Sequence, residues 1–229
     1  MHILAVGAHA ADMELTAGAA ILLYTTAGHT ATLLHCTLGE KGHAQKSPEE
    51  YGRQKLEEAS EAARLLGAHW RLLEYKDGEL PVSEEVSRQI AQVIREERPD
   101  ILITHPPRSI HDDHARCHTN VMRANFLAEL PGLFPNLPQH YVARVYFAEN
   151  WEDMEGFVAD TYLDVTTVFD DWLAASSAYE LFRGGISLFR YQDYYRALAT
   201  MRGCLGRADK AVSFMRPPGF GNKRGVLVL

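Results

Sequence analysis

The strongest structural signal in this sequence is the alternation of short apolar segments with amphipathic ones. Ile3–Ala8 and Ile101–Thr104 are almost continuously apolar, which is typical of strands that are buried on both faces of a parallel sheet. Thr30–Cys36 and a shorter segment near Trp70–Leu73 have the composition of further strands. These segments predict at least four strands in the first half of the chain.

Helix signals fill the intervals between these strands. One helix is predicted before Gly28, and a second begins at Ser47 with an N-cap hydroxyl followed by proline and ends at Gly67. A third begins at Ser83 and ends before Pro99. Strands that alternate with helices in this way indicate right-handed βαβ crossovers.

We therefore predict an α/β fold, with a Rossmann-like, doubly wound and mostly parallel sheet that carries helices on both faces. The chain forms a single domain over residues 1–229, in which 1–130 form the parallel core and 131–229 a smaller, irregular C-terminal part. The elements predicted in that part are strands at Val142–Phe147 and Thr161–Val165, helices at Val168–Leu181 and Gln192–Phe214, and an edge strand at Gly225–Leu229.

Composition excludes several classes of partner. The chain has 229 residues and a net charge of −7, so it lacks the basic face that binding to nucleic acid or to an anionic membrane requires. No segment predicts a signal peptide or a transmembrane span. Three widely spaced cysteines, at 36, 117 and 204, fit reduced thiols. We expect a cytoplasmic protein that acts on a small molecule and that is compatible with homo-oligomerisation.

Two polar clusters follow the first and the fourth predicted strands. His9 and Asp12 lie in one, and His111 and His114 lie in the other. Ligands of open α/β sheets bind where the carboxyl ends of strands meet, and two histidines with a carboxylate form a plausible site for Zn²⁺. The alternative interpretation is structural, with His9 capping the first strand and Asp12 capping the helix that follows it. If the second cluster is helical, His118 shares a face with His111 and His114.

The motifs around these clusters resemble those of the PIG-L/LmbE-like zinc-dependent N-acetylglucosaminyl deacetylases. The family's first motif, Ala-His-Pro-Asp-Asp-x-Glu, corresponds to Ala-His-Ala-Ala-Asp-Met-Glu at 8–14, and its second, His-Pro-Asp-His, corresponds to His-Asp-Asp-His at 111–114. Weaker similarities in the same order include Thr-x-Gly-Glu-x-Gly at 37–42, Asp-Gly at 77–78 and Asp-Val-Thr at 164–166.

This resemblance implies one Zn²⁺ per chain, bound by His9, Asp12 and His114. It further implies that His111 helps to stabilise the oxyanion, that Asp113 orients a site histidine, and that acetate is removed from a small amino-sugar conjugate. A site with two histidines and one aspartate also accepts Fe²⁺ or Co²⁺. The resemblance does not select the group that is attached to the sugar.

The sequence departs from the family pattern at Ala11, where the resemblance places the aspartate that acts as general base. Loss of a general base typically costs about 10²–10⁴ in rate, so either another residue accepts the proton or the protein is a silent zinc or sugar-conjugate binder. We consider Asp112 the first substitute, since it stands where the family has proline, although it also fits an exposed loop residue or a helix cap. Other candidate bases are Asp113, Glu14 and His118.

Two arginines are candidate substrate ligands. Arg53 is predicted to contact hydroxyl groups of the substrate, and Arg108 is predicted to hold an anionic group. Each has an alternative interpretation, as a surface ion pair for Arg53 and as a solvated loop residue for Arg108. A weaker functional alternative for the whole chain is a vestigial site on a protein that serves only in assembly.

Overall fold

The computed structural model describes residues 1–218, and these contain a seven-stranded sheet with the order β3-β2-β1-β4-β5-β7-β6. The neighbouring strands from β3 to β5 are parallel, β7 is antiparallel to β5, and β6 is antiparallel to β7. The strands are β1 (His2–His9), β2 (Thr30–Thr37), β3 (His69–Tyr75), β4 (Ile101–Thr104), β5 (Arg144–Ala148), β6 (Thr161–Asp164) and β7 (Ala211–Met215). The mostly parallel α/β sheet predicted from the sequence is thus confirmed.

Helices cover both faces of the sheet. They are α1 (Asp12–Thr16), α2 (Gly18–Thr26), α3 (Pro48–Leu65), α4 (Glu84–Glu97), α5 (Asp112–Glu129), α6 (Phe169–Ser176), α7 (Glu180–Arg183) and α8 (Tyr191–Gly206), with 3-10 turns at Trp151–Asp153 and Thr166–Val168. In β1, Ile3 and Ala5 belong to the core beneath α1, α2, α3, α6 and α8, whereas Leu4 and Val6 belong to the core beneath α4 and α5. This double burial explains why the strand is apolar at every position.

Helix starts follow the capping signals of the sequence. The Ser47 hydroxyl accepts a hydrogen bond from the Glu50 N–H while the Glu50 carboxylate accepts one from the Ser47 N–H, and proline follows at the first helical position. The Ser83 hydroxyl caps α4 through the Val86 N–H. These caps satisfy N–H groups that the first helical turn leaves without partners.

The switch in strand order at β1 and β4 creates the crevice of the molecule. These two strands are parallel neighbours, with Ile3 beside Ile101. The chain leaves β1 towards helices on one face and leaves β4 towards α5 on the other face. Loops therefore diverge above the carboxyl ends of β1 and β4, which is where open α/β sheets bind ligands.

The C-terminal part differs from the sequence prediction. The helix predicted over Gln192–Phe214 ends at Gly206, because Arg207 adopts a left-handed conformation with φ 61°, and the chain returns as the antiparallel strand β7. The helix predicted over Val168–Leu181 is divided into α6 and α7 by a turn after Ser176. The predicted edge strand at Gly225–Leu229 lies outside the described residues.

None of the helices within residues 1–218 has the length and the apolar character that crossing a membrane requires.

Candidate metal-binding active site

A tight turn at the end of β1 folds Asp12 back over His9. The Asp12 Oδ2 atom accepts a 2.7 Å hydrogen bond from the His9 backbone N–H and lies 3.2 Å from His9 Nδ1. Ala11, at the centre of this turn, has φ 97°, in the left-handed region that alanine rarely adopts. The turn places an imidazole and a carboxylate side by side at the crevice.

The start of α5 brings two more imidazoles to the same point. His114 Nε2 lies 3.5 Å from Asp12 Oδ2, and His111 is the N-cap residue, whose ring lies 4.6 Å from that of His9, centroid to centroid. One ligand atom from each of His9, His111 and His114 lies within 4.8 Å of the others. The two clusters of the sequence therefore form one site.

Asp12 is held in its ionised form. Burial by itself would raise the pKa of Asp12, but the adjacent His114 and His9 rings hold that pKa well below its usual range. A carboxylate must be ionised to bind a metal, so Asp12 is ready to act as a ligand. His9 Nε2 is buried without a hydrogen bond, although Asp77 Oδ1 is 3.2 Å away.

Asp153 fixes the orientation of two histidines from beneath. Its carboxylate is fully buried and accepts hydrogen bonds from His114 Nδ1 at 2.8 Å and from His105 Nδ1 at 2.9 Å. His105 Nε2 in turn accepts the Ala8 N–H at 3.0 Å, so its remaining lone pair is used. His114 instead presents Nε2 to Asp12, which is the arrangement that carboxylates impose on metal-binding histidines.

Asp113 connects the site to the loop after β3. It is fully buried, accepts hydrogen bonds from the Gly78 and Leu80 N–H groups, and lies 3.5 Å from His9 Nε2. Asp77, in the same loop, accepts the Lys41 N–H. Both carboxylates therefore lie where they can orient the His9 ring.

A cavity of about 320 Å³ opens above these residues. Its lining residues are His9, Ala10, Ala11, Asp12, Leu15, Thr16, Gly39, Gly42, Tyr51, Lys55, Asp77, His111, His114, Asn150, Trp151, Glu152, Leu181, Ser187, Tyr191 and Tyr195. The volume suits one sugar-sized ligand. Tyrosine and tryptophan rings form much of the wall, and they offer apolar faces with polar tips.

The sequence prediction missed two charged residues of this cavity. Lys55 is buried and donates a 2.6 Å hydrogen bond to the Ala10 carbonyl, and burial lowers its pKa. Glu152 lies in the 3-10 turn after β5, with Oε2 4.0 Å from His114 Nε2. Burial, together with the charges of Asp12 and Asp153, raises the pKa of Glu152 to about 7.

The sequence profile of the family described as GlcNAc-PI de-N-acetylase, PIG-L, matches residues 4–125. The chain belongs to this family. The matched region is more than half of the chain and contains both clusters of the site.

Curated relatives of this PIG-L family protein include two kinds of enzyme. A 4-oxalmesaconate hydratase of Pseudomonas putida is 25% identical over 222 residues, covering 93% of this chain and 84% of the hydratase. A 1D-myo-inositol 2-acetamido-2-deoxy-alpha-D-glucopyranoside deacetylase of Streptomyces griseus is 30% identical over 188 residues, covering 69% of this chain. The chain spans 57% of that deacetylase's length.

The fold of this PIG-L member is found in solved structures. The conserved protein TT1542 from Thermus thermophilus superimposes with a TM-score of 0.82 and 26% sequence identity, with 94% of each chain covered. The similarity therefore extends through the C-terminal part, beyond the region that the family profile matches.

Four residues predicted to act in the site do not line the cavity: Asp113, which is buried beside His9, and three exposed residues. The Asp112 side chain is 84% exposed and lies 3.4 Å from Arg116. Arg108 is an exposed loop residue that pairs with Glu155. Arg53 is exposed on α3. Helical periodicity explains why Arg53 is exposed: Lys55, two positions further along α3, lies on the opposite, buried side of the helix.

Two further candidate bases do not line the cavity either. Glu14 is fully buried beneath the site, where its Oε1 accepts the Tyr179 hydroxyl at 2.5 Å. His118 Nδ1 donates to the His105 carbonyl, and its ring packs against Phe147. Neither side chain lines the cavity within residues 1–218.

Proposed function

We propose that this protein is a metal-dependent hydrolase that removes the N-acetyl group of a small GlcNAc-type amino-sugar conjugate. The observation that carries the proposal is the convergence of His9, Asp12 and His114 at the base of a sugar-sized cavity. The membership in a de-N-acetylase family supports the type of reaction.

We assign one Zn²⁺ to His9, Asp12 and His114. Two imidazoles and an ionised carboxylate are a donor set that zinc favours. His9 Nδ1 lies 3.2 Å from Asp12 Oδ2, whereas His9 Nε2 lies 3.2 Å from Asp77 and 3.5 Å from Asp113, so Nδ1 is the atom that is placed to bind the metal. His105 fits less well as a ligand, because both of its nitrogens already have hydrogen-bond partners. When bound, the metal would polarise the acetamide carbonyl and acidify a water molecule. The same donors accept Fe²⁺ or Co²⁺.

His111 is proposed to donate a hydrogen bond to the oxyanion. Its Nδ1 atom accepts the Asp113 N–H at 3.3 Å, so in the neutral ring the proton is on Nε2. The His111 side chain lines the cavity. Stabilising a developing negative charge in this way typically contributes a factor of about 10²–10³ in rate.

Asp113 is proposed to orient His9, as its contacts with that ring and with the Gly78 loop support. Lys55 and the wall tyrosines are proposed to contact the sugar. Because Arg53, Arg108 and Asp112 lie outside the cavity, the proposal gives them no part in binding or chemistry.

Amine release from a panel of N-acetylglucosaminides tests this proposal. Zinc-loaded protein is expected to release amine, and His114→Ala is expected to lose both activity and bound metal. His118→Ala is the matched control, since His118 lies one turn further along α5 and outside the cavity. A folded, zinc-loaded protein that is inactive on the whole panel would contradict the proposal.

A second candidate is a hydratase of a small unsaturated carboxylate. The hydratase of P. putida aligns over 93% of this chain, a larger share than the sugar deacetylase does. Lys55 is the single lysine or arginine among the described residues that line the cavity, which fits a neutral sugar better than a substrate with several carboxylates. Loss of ultraviolet absorbance from 4-oxalmesaconate in the presence of the protein would favour this candidate.

Ala11 motivates a third possibility, in which the protein binds zinc and an amino-sugar conjugate without hydrolysis. Calorimetry that finds tight binding of an N-acetylglucosaminide with no turnover would favour it.

A further inference from the structure

We infer that Glu152 supplies the carboxylate that Ala11 lacks and is the general base of the hydrolysis. This inference rests on the proposed function and names a residue that the sequence motifs do not contain. Three observations support it. The Glu152 carboxylate lines the cavity and accepts no hydrogen bond from the described residues, its backbone is held by hydrogen bonds, and the neighbouring His111 has no free lone pair to accept a proton.

Among the described carboxylates that line the cavity, Glu152 is the one that accepts no hydrogen bond. Within residues 1–218, the carboxylates that line the cavity are Asp12, Asp77 and Glu152. Asp12 contacts the site histidines, and Asp77 accepts the Lys41 N–H and contacts His9. The Glu152 carboxylate accepts no hydrogen bond from the described residues, and its Oε2 lies 4.0 Å from His114 Nε2.

The backbone holds Glu152 firmly at this position. Its N–H donates to the Asn150 side chain at 3.3 Å, and its carbonyl accepts the Ile110 N–H at 3.0 Å, which ties it to the loop just before His111. The next residue, Asp153, is fixed by its hydrogen bonds to the two histidines beneath the site. A catalytic group needs such rigid support, because small displacements cost large factors in rate.

The neighbouring histidine is unsuited to the same role. In the neutral His111 ring, Nδ1 accepts the Asp113 N–H and Nε2 carries the proton. His111 can therefore donate to the oxyanion but has no lone pair directed into the cavity to accept a proton. Glu152 supplies the acceptor that His111 lacks.

The step balances with water as the only co-reactant. The water oxygen forms a bond to the acetamide carbonyl carbon while the Glu152 carboxylate takes one water proton. Glu152 then returns that proton to the amide nitrogen as the C–N bond breaks. The products are acetate, or acetic acid before it ionises, and the free amine of the sugar.

The experiment compares Glu152→Gln with Glu155→Gln, which removes an exposed carboxylate three residues away. On the N-acetylglucosaminide that wild type hydrolyses fastest, Glu152→Gln is expected to lower kcat by about 10²–10⁴, whereas Glu155→Gln stays within about twofold. Zinc affinity, measured by competition with a chromophoric chelator, should remain within about threefold of wild type in both variants.

A second readout needs neither metal nor substrate. The Glu152 carboxylate accepts no hydrogen bond from the described residues and lies 4.0 Å from His114 Nε2, so the Glu152→Gln substitution should not lower the Tm of the metal-free protein. A lower Tm would indicate that Glu152 serves to stabilise the fold, and the inference would be wrong.

Introducing Glu152→Gln into the Ala11→Asp protein tests whether Glu152 acts as a general base. With the family's aspartate restored, Glu152→Gln should cost less than about tenfold in kcat. An equal loss in both backgrounds, a loss of zinc from Glu152→Gln, or unchanged turnover in Glu152→Gln would each overturn the inference while leaving the proposed function intact. An inactive wild type would instead refute the proposed function, and the inference with it.

Discussion

Ala11 illustrates how a single backbone conformation shapes the site. Its left-handed φ of 97° allows the chain to turn so that Asp12 meets His9. For an L-amino acid other than glycine, this conformation costs about 1–2 kcal/mol. The turn is therefore maintained by the surrounding contacts and not by the preference of alanine.

Ala11→Gly is predicted to be neutral or to raise the free energy of unfolding by up to about 1 kcal/mol, because relief of strain exceeds the flexibility cost of glycine. Ala19→Gly, in the buried interior of α2, should lower it by about 1 kcal/mol or more. Urea denaturation measures both variants. If Ala11→Gly and Ala19→Gly lowered the free energy of unfolding by the same amount, the backbone at Ala11 would not be strained.

Asp153→Asn is predicted to weaken zinc binding by about 10–100-fold. His114 Nδ1 donates to Oδ1 of Asp153 and His105 Nδ1 donates to Oδ2, and asparagine replaces one of these two oxygens with an NH₂ group, which donates and cannot accept. Competition with a chelator measures the affinity, and Glu155→Gln provides the exposed control. Unchanged affinity in Asp153→Asn would show that the orientation of His114 does not depend on this carboxylate.

The sequence analysis identified the histidine and aspartate clusters but not the residues that surround them in the structure, because a sequence motif contains only residues that are close together along the chain. His9 and Asp12 are three residues apart, and the match with known motifs made them visible. Tertiary contacts alone bring Lys55 and Glu152 to the cavity and Asp153 to the site histidines. The helical period of α3 was the one signal that could have favoured Lys55 over Arg53.

At the level of elements, the parallel core was predictable and the C-terminal sheet edge was not. Capping signals marked α3 and α4. By contrast, the segment Gln192–Phe214 contains no proline, and of its two glycines Gly203 lies inside α8 and Gly206 is the last helical residue, so the glycines do not mark a single end. The final strand is defined by pairing with β5 and β6. Pairing between distant segments is not encoded in local propensity.

Gly203→Ala tests this edge directly. Helix propensity alone predicts a gain of about 1 kcal/mol, but a Cβ atom at Gly203 would lie 2.6 Å from the Ala208 carbonyl oxygen, where the chain turns back towards β7. We expect the free energy of unfolding to fall by more than about 1 kcal/mol. Gly132→Ala is the control, because a Cβ atom at Gly132 meets open space. A higher free energy of unfolding for Gly203→Ala would show that the chain between α8 and β7 does not pack closely against Gly203.

At the scale of the whole molecule, the strand order explains why two clusters about 100 residues apart meet. β1 and β4 are adjacent at the point where the connections diverge to opposite faces. The C-terminal part completes the site from outside the parallel core, since Trp151, Glu152 and Tyr191 form part of the cavity wall. Hydrophobic patterning predicted the parallel strands and the helices between them, but the adjacency of β1 and β4 is given by the strand pairing of the structure, and the second feature depends on the loops after β5.

The most direct test of the account is stepwise zinc reconstitution of chelator-stripped protein while amine release from an N-acetylglucosaminide is followed. We expect the stripped protein to be inactive and activity to rise linearly until one zinc ion is bound per chain. His114→Ala should show neither binding nor activity over the same range. Activity that is independent of added metal, or full zinc occupancy with no amine release, would contradict the metal-dependent hydrolase proposed here.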